Sequence, residues 1–213
     1  MLTETEQTAL RHRTAALIGL GGLGGFSAEF LSRLGTGTLI LCDGDCFSES
    51  NLNRQILAHS ENTGHNKAEV SALRVKLIDP QIRTRVFPRF LTAENAPEIL
   101  DGADIVIDGL DTVSGRLLLE DFCAELSLPL VHGAICGWDY QAAVSRPGSG
   151  FLHRLYRNQP DRSYGPAFPM TAASCASLQV SLALGILLDR SVETDMLYCG
   201  SLSEPYLSCF PFL

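Results

Sequence analysis

The chain predicts an α/β fold: a mostly parallel sheet with helices on both faces and antiparallel strands at its C-terminal side. Three observations lead there. Strand-length apolar runs alternate with helix-length segments over residues 15–132, the order that builds a parallel sheet covered on both sides. A glycine run, Leu-Ile-Gly-Leu-Gly-Gly-Leu-Gly-Gly at 17–25, joins the first apolar run to the first helical segment. After residue 133 the pattern changes, and strand-like stretches return near the end.

In chain order, Ala15–Leu20, Thr38–Cys42, Arg83–Phe87, Asp104–Asp108 and Leu128–His132 read as strands, and Gly24–Leu34, Asn66–Ile78, Ala93–Leu100 and Val113–Leu126 as helices. On the second helix Val70, Leu73 and Leu77 share one face, with Lys76 and Asp79 off it. Pro80 stops that helix and Pro129 opens a strand. Trp138–Arg146 reads as an antiparallel strand. Pro147–Ala172, rich in Pro, Gly and Arg, reads as a long surface connection, a length that is usually functional or mobile. Ala173–Leu188 is an apolar helix, and Met196–Gly200 and Tyr206–Phe210 form a closing hairpin. No linker composition interrupts this series, so residues 1–213 read as a single domain.

Composition narrows the function classes. Of 213 residues 46% are hydrophobic and 19% charged, which argues against long disorder. The formal charge of −8 argues against nucleic acid as a partner. Apolar stretches such as Ala15–Leu23 are too short and glycine-rich to span a bilayer. Met1–Gln7 holds two Glu and no apolar core of a signal peptide, and both readings favour the cytoplasm. The seven cysteines contain no Cys-x-x-Cys pair, so no structural zinc is expected. Cys42, Cys123 and Cys136 read as buried thiols.

Gly19, Gly21 and Gly24 fit G-x-G-x-x-G between a strand and a helix, the Rossmann-like setting in which backbone N–H groups approach a phosphate at a helix N-terminus. Asp43 ends the second strand, where a carboxylate can accept from ribose hydroxyls. Residues 43–55 continue Asp-Gly-Asp-Cys-Phe-Ser-Glu-Ser-Asn-Leu-Asn-Arg-Gln, Lys67 opens the next helix, and Asp111 follows the fourth strand. These strand ends lie where open α/β sheets bind ligands. Arg suits bidentate phosphate contact, Lys a point contact and Asp Mg²⁺, a set that favours ATP over a dinucleotide. Lys67 in a first helical turn opposes the helix dipole, and a phosphate would reverse that; the alternative is a solvated surface lysine. Asp111 serves a metal or caps the helix after it, and Asn51 caps a turn or meets phosphate or ribose.

With these residues in hand, the chain resembles the ThiF/MoeB/HesA family, relatives of ubiquitin-activating enzymes. The matching pieces are Gly19-x-Gly21-Gly22-x-Gly24, Asp43-x-Asp45, Ser50-Asn51-Leu52-Asn53-Arg54-Gln55, Lys67 and Asp108-x-x-Asp111, in family order over residues 15–135. The resemblance implies an adenylyltransferase that binds Mg-ATP, joins AMP to the C-terminal carboxylate of a small ubiquitin-like sulfur-carrier protein ending in Gly-Gly, and releases pyrophosphate. It implies Asp43 at the ribose, Arg54 and Lys67 at the phosphates as catalytic groups, and Asp111 at the magnesium. The glycines, Asp45, Asn51, Asn53 and Gln55 complete the nucleotide site. It also implies a homodimer and service to thiamine, molybdopterin or a related sulfur pathway. The chain departs from the family in three places. Only about 14 residues precede the first strand, where many members carry a helix with an Arg for the partner's ATP; Arg11 and Arg13 are the nearby candidates. The zinc cysteines are missing, and Thr112 stands where Asn often follows the magnesium Asp.

Two rivals stay open: activation of a carboxylate on a modified tRNA adenosine, and a catalytically degenerate nucleotide-binding or carrier-docking subunit. An NAD oxidoreductase ranks below both. Cys175, at the start of a helix, is either an activated thiol or a packing residue. His132 reads as a satisfied rim residue, with a place facing the pocket as the alternative, and Arg146, Arg154, Arg157 and Arg162 as a solvated loop with a local positive balance, with contact to an acidic protein or an RNA backbone as the alternative.

Overall fold

The computed structural model describes residues 2–160 and 167–212. One eight-stranded sheet runs β3-β2-β1-β4-β5-β6-β7-β8, with β1 Thr14–Ile18, β2 Thr38–Cys42, β3 Arg83–Phe87, β4 Ile105–Asp108, β5 Leu130–Cys136, β6 Asp139–Ser145, β7 Met196–Ser201 and β8 Tyr206–Pro211. The pairs among β3, β2, β1, β4 and β5 are parallel, and those from β5 through β8 antiparallel. The helices are α1 Glu4–Leu10, α2 Gly22–Leu34, α3 Lys67–Ile78, α4 Ala96–Leu100, α5 Val113–Glu125, α6 Phe151–Leu155 and α7 Pro169–Leu187.

Strand alternation sorts the core into two layers. Ala15, Leu17, Leu39, Leu41, Ile105, Ile107 and Val131 face α2, α3 and α7. Ala16, Ile18, Ile40, Cys42 and Val106 face α4, α5 and α6. By length and composition α7 could cross a membrane, but it packs on α2, β4, β5 and β6 as a core helix.

Four readings of the sequence are corrected. A helix, α1, precedes β1: Thr3 Oγ1 accepts from the Glu6 N–H while the Glu6 carboxylate accepts from the Thr3 N–H, a capping box written as Thr-x-x-Glu. Its neighbours Arg11 and Arg13 are engaged elsewhere. Arg11 pairs with Asp79, and Arg13 with Asp104, Asp189 and the Leu187 carbonyl, covering the start of β1. On α3 the leucines point outward: Leu73 is 67% and Leu77 79% exposed, because the helix packs through Lys67, Ala68, Ser71 and Val75. Cys136 is exposed at the end of β5. The connection after Pro147 contains α6; Phe151 and Leu152 anchor it in the core, and buried Glu120 accepts from the N–H groups of Leu152 and His153 at its start. Smaller shifts accompany these: β5 runs on to Cys136, α4 begins at Ala96, and α7 at Pro169.

Candidate functional site

In the strand order the chain reverses direction of travel across the sheet between β1 and β4, and there a crevice opens at the carboxyl ends of the parallel strands, the general ligand site of such sheets. Its volume is about 690 Å³. Ile18, Gly19, Gly21 and Gly22, Cys42–Asp45, Arg89–Leu91 and Gly109–Thr112 bring their strand ends to it, and Arg54, Gln55, Lys67 and Arg116 reach it from the loops and helices.

The floor is the glycine turn. Gly19 has φ +86°, a left-handed conformation, and a Cβ there would lie 2.6 Å from the Gly109 carbonyl oxygen. Gly21 and Gly22 line the crevice where α2 begins, so the unpaired N–H groups of its first turn face the cavity end. Gly24 does not line the crevice; it lies beneath the turn against the Gly19 carbonyl.

Asp43 is 9% exposed and accepts from the Leu20 N–H at 2.6 Å and the Asp45 N–H at 2.8 Å. It therefore ties the end of β2 to the glycine turn. Burial raises its carboxyl pKa, against the two N–H groups and Lys67, which pull it down. Lys67 is the first residue of α3, behind an N-cap in which Asn66 accepts from Ala68 and Glu69. Its side chain is buried and its Nζ lies 3.2 Å from Asp45 Oδ2, so it is a paired group of the crevice wall and not a solvated lysine. Arg54 lines the crevice while donating to the Ser50 carbonyl and to Asn53 Oδ1, each at 3.0 Å. Gln55 is buried over Gly21, and its Oε1 has no hydrogen-bond partner among the described residues.

Asn51 and Asn53 are not in the crevice lining. Asn51 is buried and accepts from the Ser48 N–H, closing the turn that presents Arg54, and Asn53 braces Arg54 directly. Asp111 is exposed on the wall, and the helix cap beside it is Thr112, which accepts from the Gly115 N–H. Among the described residues no cluster of three or more His, Cys, Asp or Glu is arranged to hold a metal. Magnesium takes one or two carboxylates and fills its shell with phosphate oxygens and water, so a single exposed carboxylate facing a phosphate site fits it.

Lining residues not foreseen include Arg89, Phe90, Leu91, Leu110, Arg116 and Leu118. The strand-end rule applied to β3 would have found Arg89, Phe90 and Leu91. Of the two readings of Cys175 the structure supports packing: it is fully buried inside α7, where burial pushes its thiol up to about 12. His132 is corrected. It is wholly buried beneath the crevice, with Nδ1 2.7 Å from Asp108 Oδ2. Of the basic loop, Arg154 pairs with Asp195, Arg146 and Arg157 are exposed, and Arg162 lies outside the described residues.

Burial holds the His132 pKa below its ordinary 6.5, against the pull of Asp108. Below pH 6.5 the unfolded chain binds a proton there that the folded chain refuses. Stability is therefore lost as pH falls, at up to ~1.4 kcal/mol per pH unit. For a chain of this size that is about 3–6 °C of melting temperature per unit. Melting curves from pH 7.5 to 5.5 should show a smaller decline in His132→Asn than in the parent; equal slopes would mean that His132 is not the group responsible.

A family model described as ThiF family matches residues 1–204. The SAMP-activating enzyme E1 of Haloferax volcanii is 32% identical over 195 residues, covering 89% of this chain and 72% of that one. The sulfur carrier protein adenylyltransferase of Thermus thermophilus is 38% identical over 163 residues, covering 76% of this chain and 58% of that one. Among solved structures, Escherichia coli MccB with ATP aligns at a TM-score of 0.81 over 97% of this chain and 66% of that one, at 18% identity, a likeness of fold.

Proposed function

The chain belongs to the ThiF family, and we propose that it is an adenylyltransferase acting on the C-terminal carboxylate of a small ubiquitin-like sulfur-carrier protein. The observation that supports this most directly is the gathering of the glycine turn, Arg54, Lys67 and Asp111 on one crevice. The two relatives named for a carrier substrate, SAMP and sulfur carrier protein, support the choice of acceptor.

In this reading the adenine lies against Phe90, Leu91, Leu110 and Leu118, the ribose hydroxyls meet Asp43, and the phosphates follow the Gly19–Gly22 turn to Arg54 and Lys67. Asp111 would hold magnesium, which when bound supplies positive charge to the phosphates. An oxygen of the carrier carboxylate attacks the α-phosphorus, the bond from that phosphorus to the bridging oxygen of the β-phosphate breaks, and pyrophosphate leaves with the electron pair. The acyl-adenylate keeps the carboxylate oxygen. No proton needs to move, so the side chains act by positioning and charge. A homodimer and a cytoplasmic sulfur-transfer pathway such as thiamine or molybdopterin synthesis complete the proposal.

The test is isotope exchange between ATP and pyrophosphate with purified chain. Exchange should require a carrier ending in Gly-Gly and disappear when that dipeptide is removed. ATP binding with no exchange for any such carrier would overturn the proposal.

A further inference from the structure

Behind Asp111 lies a polar group of side chains that the nucleotide reading does not use. Asp108 and His132 are both fully buried, Arg116 is 4% exposed, and Tyr156 packs edge-on against the His132 ring at 5.5 Å. Arg116 Nη1 donates to the Tyr156 hydroxyl at 3.1 Å, and that hydroxyl lies 3.0 Å from His132 Nε2. His132 Nδ1 lies 2.7 Å from Asp108 Oδ2, and Asp108 Oδ1 accepts from the Leu110 N–H at 2.9 Å. Arg116 Nη2 donates to the Leu110 carbonyl at 2.8 Å, which closes a ring. With Asp108 as acceptor the imidazole carries its proton on Nδ1, and the lone pair of Nε2 takes the tyrosine proton. Gln141 also donates to the Tyr156 oxygen, at 3.1 Å.

The ring grips Leu110 by both its N–H and its carbonyl. That carbonyl belongs to the planar peptide from which Asp111 hangs, so the plane carrying the carboxylate is held from behind. Burying a carboxylate, a guanidinium and an imidazole together is a poor way to gain stability, because desolvation offsets the attraction. Holding a ligand residue to within a fraction of an ångström does require locked neighbours.

We propose that His132 and Tyr156 are positioning residues that aim Asp111 at the metal of the nucleotide complex. This rests on Asp111 being the metal-holding residue. Tyr156 follows α6, itself seated by Glu120, so α6 would set the aim of a residue on the far side of the crevice wall.

The test measures Mn²⁺ affinity in the complex with αβ-methylene-ATP, read by electron paramagnetic resonance, alongside melting temperature. Asp111→Asn is the reference and should weaken Mn²⁺ most. Tyr156→Phe keeps the ring packing and removes the hydroxyl; its Mn²⁺ affinity should fall about tenfold, within the range typical of lost outer-sphere partners. His132→Leu should fall at least as far, and His132→Asn, whose amide reproduces the donor to Asp108, should recover most of the loss. If Asp111→Asn weakens Mn²⁺ while folded Tyr156→Phe and His132→Leu match the parent, the positioning role is overturned. If Asp111→Asn itself matches the parent, the assignment of Asp111 is what fails, and the adenylation proposal is still judged by pyrophosphate exchange.

Discussion

Lys67→Ala should cut carrier-dependent ATP–pyrophosphate exchange by about 10²–10³-fold, the usual cost of deleting one preorganised charge from a transition state. The structure says why the loss should be catalytic and not conformational. The ion pair that Lys67 makes among the described residues is to Asp45, whose side chain is 58% exposed and can be hydrated once the ammonium is gone. Removing the ammonium takes away the charge that is paired with Asp45 and pulls on Asp43, so both carboxylates meet an arriving polyphosphate less offset. Lys67→Arg should rescue little, because a planar guanidinium cannot replace a compact ammonium in a buried slot. The check is exchange rate and thermal denaturation on the same protein. Exchange within threefold of the parent would take Lys67 out of the phosphate site; a collapse in melting temperature would make it a structural residue.

The parts legible in the sequence are those where local pattern and chemistry coincide. Strand ends Asp43 and Asp111, with Gly19, Gly21, Gly22 and Lys67, could be placed because a parallel sheet sends all its carboxyl ends to one side. The face chosen for α3 was wrong because helical periodicity marks a stripe without saying what meets it. α3 packs against α2, β2 and β3, and Lys67, Ala68, Ser71 and Val75 make that contact while Leu73 and Leu77 stay outside. Of the two roles open to Asn51 the structure shows the turn cap, and Asn53, expected at the nucleotide, braces Arg54, a distinction that spacing does not encode. His132 and Tyr156 were not legible as a unit. Their contact joins β5 to a five-residue helix in a stretch whose Pro, Gly and Arg content reads as loop, and only tertiary packing brings them to Asp108. The capping box before α1 was written in the sequence and is a case where a short helix is easily passed over.

Gly24→Ala should be the most damaging single methyl in the chain for nucleotide binding. A Cβ at Gly24 would stand 1.8 Å from the Gly19 carbonyl oxygen, and one at Gly109 only 2.2 Å from the same atom. That oxygen is wedged between the start of α2 and the turn after β4. It has no room to retreat, because Gly19 is itself pinned: its N–H donates to the Cys42 carbonyl at 2.9 Å, and the Gly109 N–H donates to the Ile18 carbonyl at 2.8 Å. Backbone must therefore move, and overpacking against immobile atoms costs about 3 kcal/mol or more. In a chain of this length that is about 6–12 °C of melting temperature. The same displacement lifts the glycine turn from the N-terminus of α2, so the added stabilisation by Mg-ATP should vanish even where the variant stays folded. Thermal denaturation with and without Mg-ATP separates the two effects. If Gly24→Ala melts lower but keeps the parent's nucleotide-induced shift, the glycine serves helix–sheet packing alone. If it keeps both, the close approach at Gly19 does not constrain the turn.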